Sequence, residues 1–467
     1  MSKKETKEQN KSGSRDQYID PQECEYLTTS EDFSAFPDEP IDKMVDPFKR
    51  FLHVESASGF VLLGAAVAAL LLANTPAAGG FQAIWDTHAA ISVGNITLDL
   101  SLKHWINDGL MAIFFFVVGL EVKRELVVGE LSDIRSVVLP IAAAIGGMLV
   151  PAGIYLMLIN EGPSTDGWGI PMATDIAFVV GLLALLRDRV PNSLRVMLLS
   201  LAIADDIGAI VVIAVGYTET VHLTALALAV GGLCLTLVFF RLGIRNMAVY
   251  GLCMLFVWAA LYESGIHPTL AGVAFGLLAP TRSWVGQGRL GTMARRTLCY
   301  LQGDQWSDPK ARYKALRDME DATRESISPQ QRFENQLHPW TSFVIMPLFA
   351  LANAGVALRP EGFTDPVALA VVCGLFLGKP IGIVAFSWLA VKTGIARLPR
   401  GITWGPLTGA GFLAGIGFTM SLFVAGLALE NPELEAAKTG ILAASLLSAV
   451  FGAGVLVFFL PTPNARE

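Results

Sequence analysis

The sequence predicts an all-α polytopic membrane protein of twelve transmembrane helices, on three observations. The 467 residues are 53% hydrophobic and only 16% charged, too apolar for a soluble domain of this length. The apolar residues fall into twelve runs that meet or approach the ~20 residues a helix needs to cross ~30 Å of hydrocarbon: 57–74, 104–121, 136–159, 169–186, 194–216, 221–240, 246–263, 268–280, 339–357, 367–391, 405–428 and 437–460. Basic residues gather in alternate connections, as cytoplasmic loops require.

Taken in order, the first element is an acidic tail, residues 1–50. Residues 1–46 carry twelve Asp or Glu against six Lys or Arg, a net of -6 out of -7 for the whole chain. Its low hydrophobicity fits a disordered cytoplasmic extension, and its sign argues against binding nucleic acid or anionic lipid. No basic stretch with a short apolar run and small-residue cleavage site opens the chain, so the first membrane helix is expected to be its own insertion signal.

The membrane domain is expected over 51–460. Between its first two helices, residues 91–100 alternate apolar and polar around Gly94-Asn95, the pattern of a small β-hairpin on the outer face. Its edge either pairs with a second subunit or remains a loop hairpin without a partner. The basic residues Lys123, Arg124 and Arg135, then Arg187, Arg189 and Arg195, then Arg241 and Arg245 mark inner loops. A long inner loop, 281–338, holds the group from Arg282 to Arg332 and a charged stretch, Ser307–Glu325, that reads as a solvated helix. Lys392, Arg397 and Arg400 mark the next inner loop, while the outer loops hold little beyond Lys103 and Arg359. Both termini, including the short tail 461–467, are therefore expected in the cytoplasm. The tight connection Glu263-Ser-Gly-Ile-His267-Pro268 makes the seventh and eighth helices the least regular pair. The five cysteines, Cys24, Cys234, Cys253, Cys299 and Cys373, show neither a disulfide framework nor metal spacing.

Four charges lie inside apolar runs: Asp175, the adjacent Asp205 and Asp206, and Lys379. Each such group costs about 2.5–3.5 kcal/mol at a helix centre on insertion scales, so an unpaired doublet would not persist without a use. Neighbours on a helix diverge by ~100°. One aspartate can therefore line an ion path while the other reaches a buried cation, and Lys379 is the cation that lies well inside an apolar run. A salt bridge that only holds helices together explains one carboxylate; three exceed what one lysine needs. Buried ionisable groups titrate away from their solution values, which suits exchange of a proton for a metal cation.

Helix interruptions give the second signal. Pro171 precedes Asp175 by four residues, and the eleventh run contains Gly405, Gly409, Gly411, Gly415 and Gly417. Discontinuous helices put orphan backbone groups at the midplane, where they are compensated or used. The two interruptible runs sit at matching places, helix 4 within helices 3–5 and helix 11 within helices 10–12. Units of three helices have opposite membrane orientation, the inverted-repeat plan of secondary transporters; glycine as simple close packing is the other reading of the eleventh run.

Several segments carry a resemblance. GLEVKRE from Gly119, ATDIAF from Ala173, AIADDIGA from Ala202, LANAG from Leu351, GKP from Gly378 and GIGFTMS from Gly415 resemble, in order, the NhaA sodium/proton antiporters, and the likeness runs from about residue 50 to 460. The resemblance implies that Asp205 and Asp206 are the ion-binding aspartates and metal ligands, Asp206 the principal one. It implies that Thr174 and Asp175 lie at the break of helix 4, crossing that of helix 11 at Gly415 and Gly417, and that Lys379 bridges to Asp205. It further implies an electrogenic exchange of internal Na⁺ or Li⁺ for a larger number of external protons, driven by the proton-motive force. No cofactor is expected.

Family members are typically inner-membrane homodimers whose outer hairpin contributes to the interface, which fits residues 91–100. Glu121, Lys123, Arg124 and Glu125 fall where the family places part of its pH response, although a helix-end charge cluster also serves as a topology anchor. His267, beside Glu263, resembles another pH-response position, with a solvated loop histidine as the alternative. The acidic tail and the long loop exceed the compact family pattern and bear on regulation. Rival readings are a sodium symporter of an organic anion, which needs a larger polar midplane pocket, and an intramembrane enzyme, whose HExxH and GxSxG motifs are absent. A passive channel is the third, and it does not require a lysine buried against carboxylates.

Overall fold

The computed structural model describes residues 55–460 apart from 94–95, 130–133, 187–188, 219–220, 245, 303–307, 358–359 and 400. The expectations for the two tails, for the Gly94-Asn95 turn and for Arg187, Arg245, Arg359 and Arg400 lie outside the described residues. Helix α1 (Glu55–Ala73) turns through 120° into the short α2 (Ala78–Trp85). Strands β1 (His88–Val93) and β2 (Ile96–Ser101) then pair antiparallel, from Val93 opposite Ile96 to His88 opposite Ser101. The pairing begins three residues earlier than the alternation indicated, because Ala89 and Ala90 carry little strand preference of their own. Trp105 Nε1 donates to Ala89 O at 2.9 Å and ties the hairpin to the next helix.

Helices α3 (Leu102–Val127), α4 (Ile134–Leu158), α5 (Ile176–Leu185), α6 (Asn192–Gly216), α7 (Leu223–Leu242) and α8 (Met247–Ser264) follow, α5 being preceded by a 3₁₀ segment, Pro163–Met172. Helix α9 (Leu270–Leu278) has nine residues. Two charged helices, α10 (Gln287–Gln302) and α11 (Pro309–Ser326), form a hairpin. Helix α12 (Pro329–Trp340) continues through a wide turn into α13 (Met346–Asn353), and α14 (Pro366–Lys392), α15 (Trp404–Ala414), α16 (Phe418–Ala428) and α17 (Glu433–Phe459) complete the chain.

Among the described residues, eight helices are long and apolar enough to cross a membrane, or up to ten if each of two bent pairs, α1 with α2 and α15 with α16, is one span. Of the twelve expected runs, two, 268–280 and 339–357, do not meet this length and composition test. Nine residues at 1.5 Å rise make α9 only ~14 Å long, half of the ~30 Å core. The run at 339–357 is the apolar end of a helix that starts at Pro329 among charged residues. The run at 169–186 lies within Pro163–Leu185, one of the eight, and is interrupted at Ala173 to Asp175, which are outside both the 3₁₀ segment and α5.

Lipid tails are as apolar as leucine, so helix association in the bilayer depends on close packing rather than on hydrophobic transfer. The contact of α4 with α14 illustrates this. A Cβ on Gly146 would sit 2.2 Å from Gly382 O, and one on Gly382 would sit 2.0 Å from Gly146 O. Backbone meets backbone there, three residues from Lys379. Gly382→Ala should therefore lower stability by about 1–3 kcal/mol or more through forced separation of the helices, read as a lower thermal transition of the purified protein. A transition equal to that of the parent protein would contradict this packing.

Candidate functional site

Two interrupted helices meet at the centre of the bundle. In the first, the 3₁₀ segment ends at Met172, Ala173 is extended (φ -79°, ψ 144°), and Asp175 caps α5. In the second, α15 ends at Ala414 and α16 starts at Phe418, with a bend of 46° across Gly415 to Gly417. The breaks satisfy each other's backbone. Asp175 N donates to Ile416 O at 2.7 Å, Thr174 Oγ1 to Ala414 O at 2.8 Å, and Ser421 Oγ to Ile170 O at 2.8 Å. Glycine is required because a Cβ on Gly415 would lie 2.5 Å from Leu375 O, and one on Gly417 would lie 2.1 Å from Ser421 Oγ, which is held by Ile170 O.

The helix ends carry fixed partial charges, positive at N-termini and negative at C-termini, and two buried charges answer them. Asp175 accepts from Phe178 N at 3.1 Å in its own helix and from Thr419 N at 3.1 Å in the first turn of α16. The Thr419 hydroxyl donates to the same carboxylate oxygen. One carboxylate thus covers two positive ends. Lys379, fully buried, donates to the carbonyl of Met172, the negative end of the 3₁₀ segment.

Lys379 also donates to Asp205 Oδ2 at 2.7 Å, a salt bridge without solvent contact. The other Asp205 oxygen, Oδ1, is buried with no hydrogen-bond partner among the described residues. Asp206 is buried as well, and no hydrogen bond or ion pair from the described residues reaches it. A buried acceptor without a donor costs about 1–3 kcal/mol, and a charged one more. Such oxygens are stabilised by a proton or by a hard cation, which takes oxygen ligands. The structure therefore joins Thr174, Asp175, Lys379, Gly415 and Gly417 through direct contacts at the crossing, and attaches Asp205 to them through Lys379; Asp206 follows Asp205 on α6.

Sequence reasoning missed Thr419 and Ser421. Both lie in the GIGFTMS segment, but a hydroxyl in an apolar helix ordinarily bonds the carbonyl four residues back, so nothing in the spacing marked them as bridges to the other break. Thr419→Val keeps the shape and removes one donor to Asp175; it should lower stability by about 1–3 kcal/mol and leave the protein folded, measured by thermal unfolding.

At the far end of α3, Arg124 forms an ion pair with Glu334 of α12 and lies 3.5 Å from Glu125. Glu121 stands one turn before Arg124. Burial pushes the Glu334 carboxyl up from the ordinary carboxylate range, and Arg124 opposes that shift. The loop charge Glu334 was not singled out in the sequence because it lies among many charges of the long connection.

His267 is elsewhere, in the link between α8 and α9. Its Nδ1 is 2.9 Å from Thr269 Oγ1 and its ring packs edge-on against Phe423 at 5.7 Å. Burial pushes its imidazole down to about 4 from 6.5. The neutral form is favoured by folding, so this contribution to stability is complete above pH 6.5 and is lost as pH falls through about 4. The parent protein should lose more thermal stability than His267→Gln over that interval; equal losses would contradict the burial of the ring.

Comparison with known proteins gives one consistent result. The family described as Na+/H+ antiporter 1 matches residues 49–456. The chain is 52% identical to a Na(+)/H(+) antiporter NhaA of Rhodopirellula baltica over 92% of this chain and 98% of that protein. It is 50% identical to NhaA 1 of Acidiphilium cryptum over 95% and 97%. Against NhaA of Rhizobium meliloti the identity is 47% over 94% of this chain and all of that protein. With nearly the whole membrane domain matched, and the crossing breaks, the lysine bridge and the aspartate doublet inside the matched region, the chain belongs to the NhaA family of Na⁺/H⁺ antiporters.

Proposed function

We propose that this protein extrudes cytoplasmic Na⁺ or Li⁺ in exchange for external protons across a bacterial inner membrane. The observation that carries this reading is the buried Asp205 Oδ1, without a hydrogen-bond partner among the described residues, beside the Lys379 bridge and with Asp206 next in sequence. Na⁺ and protons compete for these carboxylates. With the site open to the cytoplasm, Na⁺ binds through oxygens of Asp206 and Asp205, with help from the Thr174 region, and protons leave. The bundle then changes access, Na⁺ departs outside, and protons reload the carboxylates. Only a loaded site crosses, because empty carboxylates in hydrocarbon are strongly disfavoured. More than one proton per Na⁺ makes the cycle electrogenic and lets the proton-motive force drive it. As the sites are coupled, their apparent titration belongs to the group, Lys379 included.

The twelve-span plan, with helices 3–5 and 10–12 as inverted repeats and both termini cytoplasmic, belongs to the same proposal. So does a homodimer joined through the hairpin at 91–100. Glu121, Arg124 and Glu125, with Glu334, form the pH-responsive group; His267 enters as a neutral packed ring. Everted vesicles from an antiporter-deficient strain, energised to acidify their interior, test the reading. Na⁺ and Li⁺ should collapse the gradient and K⁺ should not. If no cation dissipates it at any pH, the proposed exchange is refuted and an organic-anion symporter becomes the reading to examine.

A further inference from the structure

The helix that carries Lys379 has a second face. There α14 and α15 enclose an open groove of about 600 Å³, lined by Phe376, Pro380, Ala385, Trp388, Trp404 and other apolar side chains. Three features give it direction. Its Phe376 is held in an aromatic cluster, tilted against Phe412 at 5.4 Å and edge-on to Phe451 at 5.1 Å. Trp388 and Trp404, the lining residues nearest in sequence to the loop between α14 and α15, are of the type enriched at membrane interfaces. There the Lys392 ammonium lies 4.4 Å from the Trp388 ring centroid.

We propose that this groove binds one anionic phospholipid of the cytoplasmic leaflet, an acyl chain filling the apolar trough and the headgroup phosphate meeting Lys392. A hydrocarbon chain matches the lining, since an unfilled apolar void forfeits its dispersion contacts. Charge complementarity at one end alone selects an amphiphile with an anionic head over an apolar surface from a second copy of this chain.

The site has a mechanical link to the ion site. Phe376 belongs to the π-helical turn Cys373–Gly378, and Pro380 follows Lys379 directly. Groove wall and lysine mount are thus one stretch of backbone, and wide turns of this kind recur at functional sites. A chain lying in the groove buttresses that turn and holds Lys379 toward Asp205 and Met172. Lipid occupancy accordingly sets the rate of transport without contacting an ion.

The test uses the full chain. Native mass spectrometry of protein purified in mild detergent should show one retained anionic phospholipid per chain. Retention should fall several-fold in Lys392→Gln, which alters only the rim, and in Ala385→Phe, whose ring fills the trough; Leu446→Ala, on the exposed face of α17, should leave it unchanged. In vesicles, Na⁺-dependent proton movement by the parent protein should drop several-fold when phosphatidylglycerol is replaced by phosphatidylcholine, and Ala385→Phe should be insensitive to the change. Equal retention in all variants would overturn the proposal. Loss of dimer in Ala385→Phe with lipid retention intact would also overturn it, naming a second copy as the occupant. Retention is read without transport, so its result stands apart from the outcome of the antiport assay.

Discussion

Asp206→Asn should abolish cation-proton exchange while the protein still inserts and folds. The substitution conserves shape, and no described hydrogen bond or ion pair depends on Asp206, so the fold loses little. The ion site loses one of its two carboxylate charges. Breaking a buried charge pair costs about 3–5 kcal/mol, and at ~1.4 kcal/mol per tenfold a comparable loss lowers Na⁺ affinity by roughly 100- to 4,000-fold. The amide also cannot carry a proton across, so the exchange fails on both halves of the cycle. Na⁺ transport at the parental rate, in protein present at parental levels, would refute the assignment.

The second large effect concerns Lys379 and Asp205, where stability and function separate. Lys379→Ala leaves a buried carboxylate without its cation, and Asp205→Asn leaves a buried ammonium with only the Met172 carbonyl. Each should destabilise the protein by about 3–5 kcal/mol. Joint replacement, Asp205→Asn with Lys379→Met, removes both charges, and buried pairs exchanged for uncharged side chains are often neutral for stability. Most of the loss should return, short by about 1–3 kcal/mol because Met172 O still lacks its donor. Ion binding should not return with it. Thermal unfolding of the purified single and double variants measures this coupling, and additive losses would contradict the bridge.

Much of this site is readable from residue chemistry alone. Charges inside apolar runs are so unfavourable that Asp175, Asp205, Asp206 and Lys379 identify themselves, and Lys379 had one evident role. Pro171 and the glycines up to Gly417 marked the interruptions because proline and glycine act on the backbone locally. The bonds that join the breaks were not readable. Thr419 to Asp175 and Thr174 to Ala414 link residues over 200 positions apart, and a hydroxyl carries no directional signature in sequence. The wide turns at Trp105–Leu110, Thr341–Ile345 and Cys373–Gly378 were equally hidden, since a π turn has the same hydrophobic content as the α-helix around it.

Helix ends are hidden for a related reason. Hydropathy registers apolar length and not where a helix ends, so neither the nine-residue length of α9 nor the start of α12 at Pro329, ahead of the run at 339–357, was readable. The hairpin was recognised from its alternation, but its full extent rests on pairing of His88 with Ser101 and on Trp105 bonding Ala89, contacts that only the folded chain supplies.

The central claim is that Na⁺ and protons occupy the same carboxylates. Isothermal titration of the purified protein with Na⁺, repeated in buffers of different ionisation enthalpy, measures protons released per ion bound. The account predicts release of protons on Na⁺ binding in the parent protein, and loss of both binding and release in Asp206→Asn. Na⁺ binding without proton release, or binding and release preserved in Asp206→Asn, would contradict it.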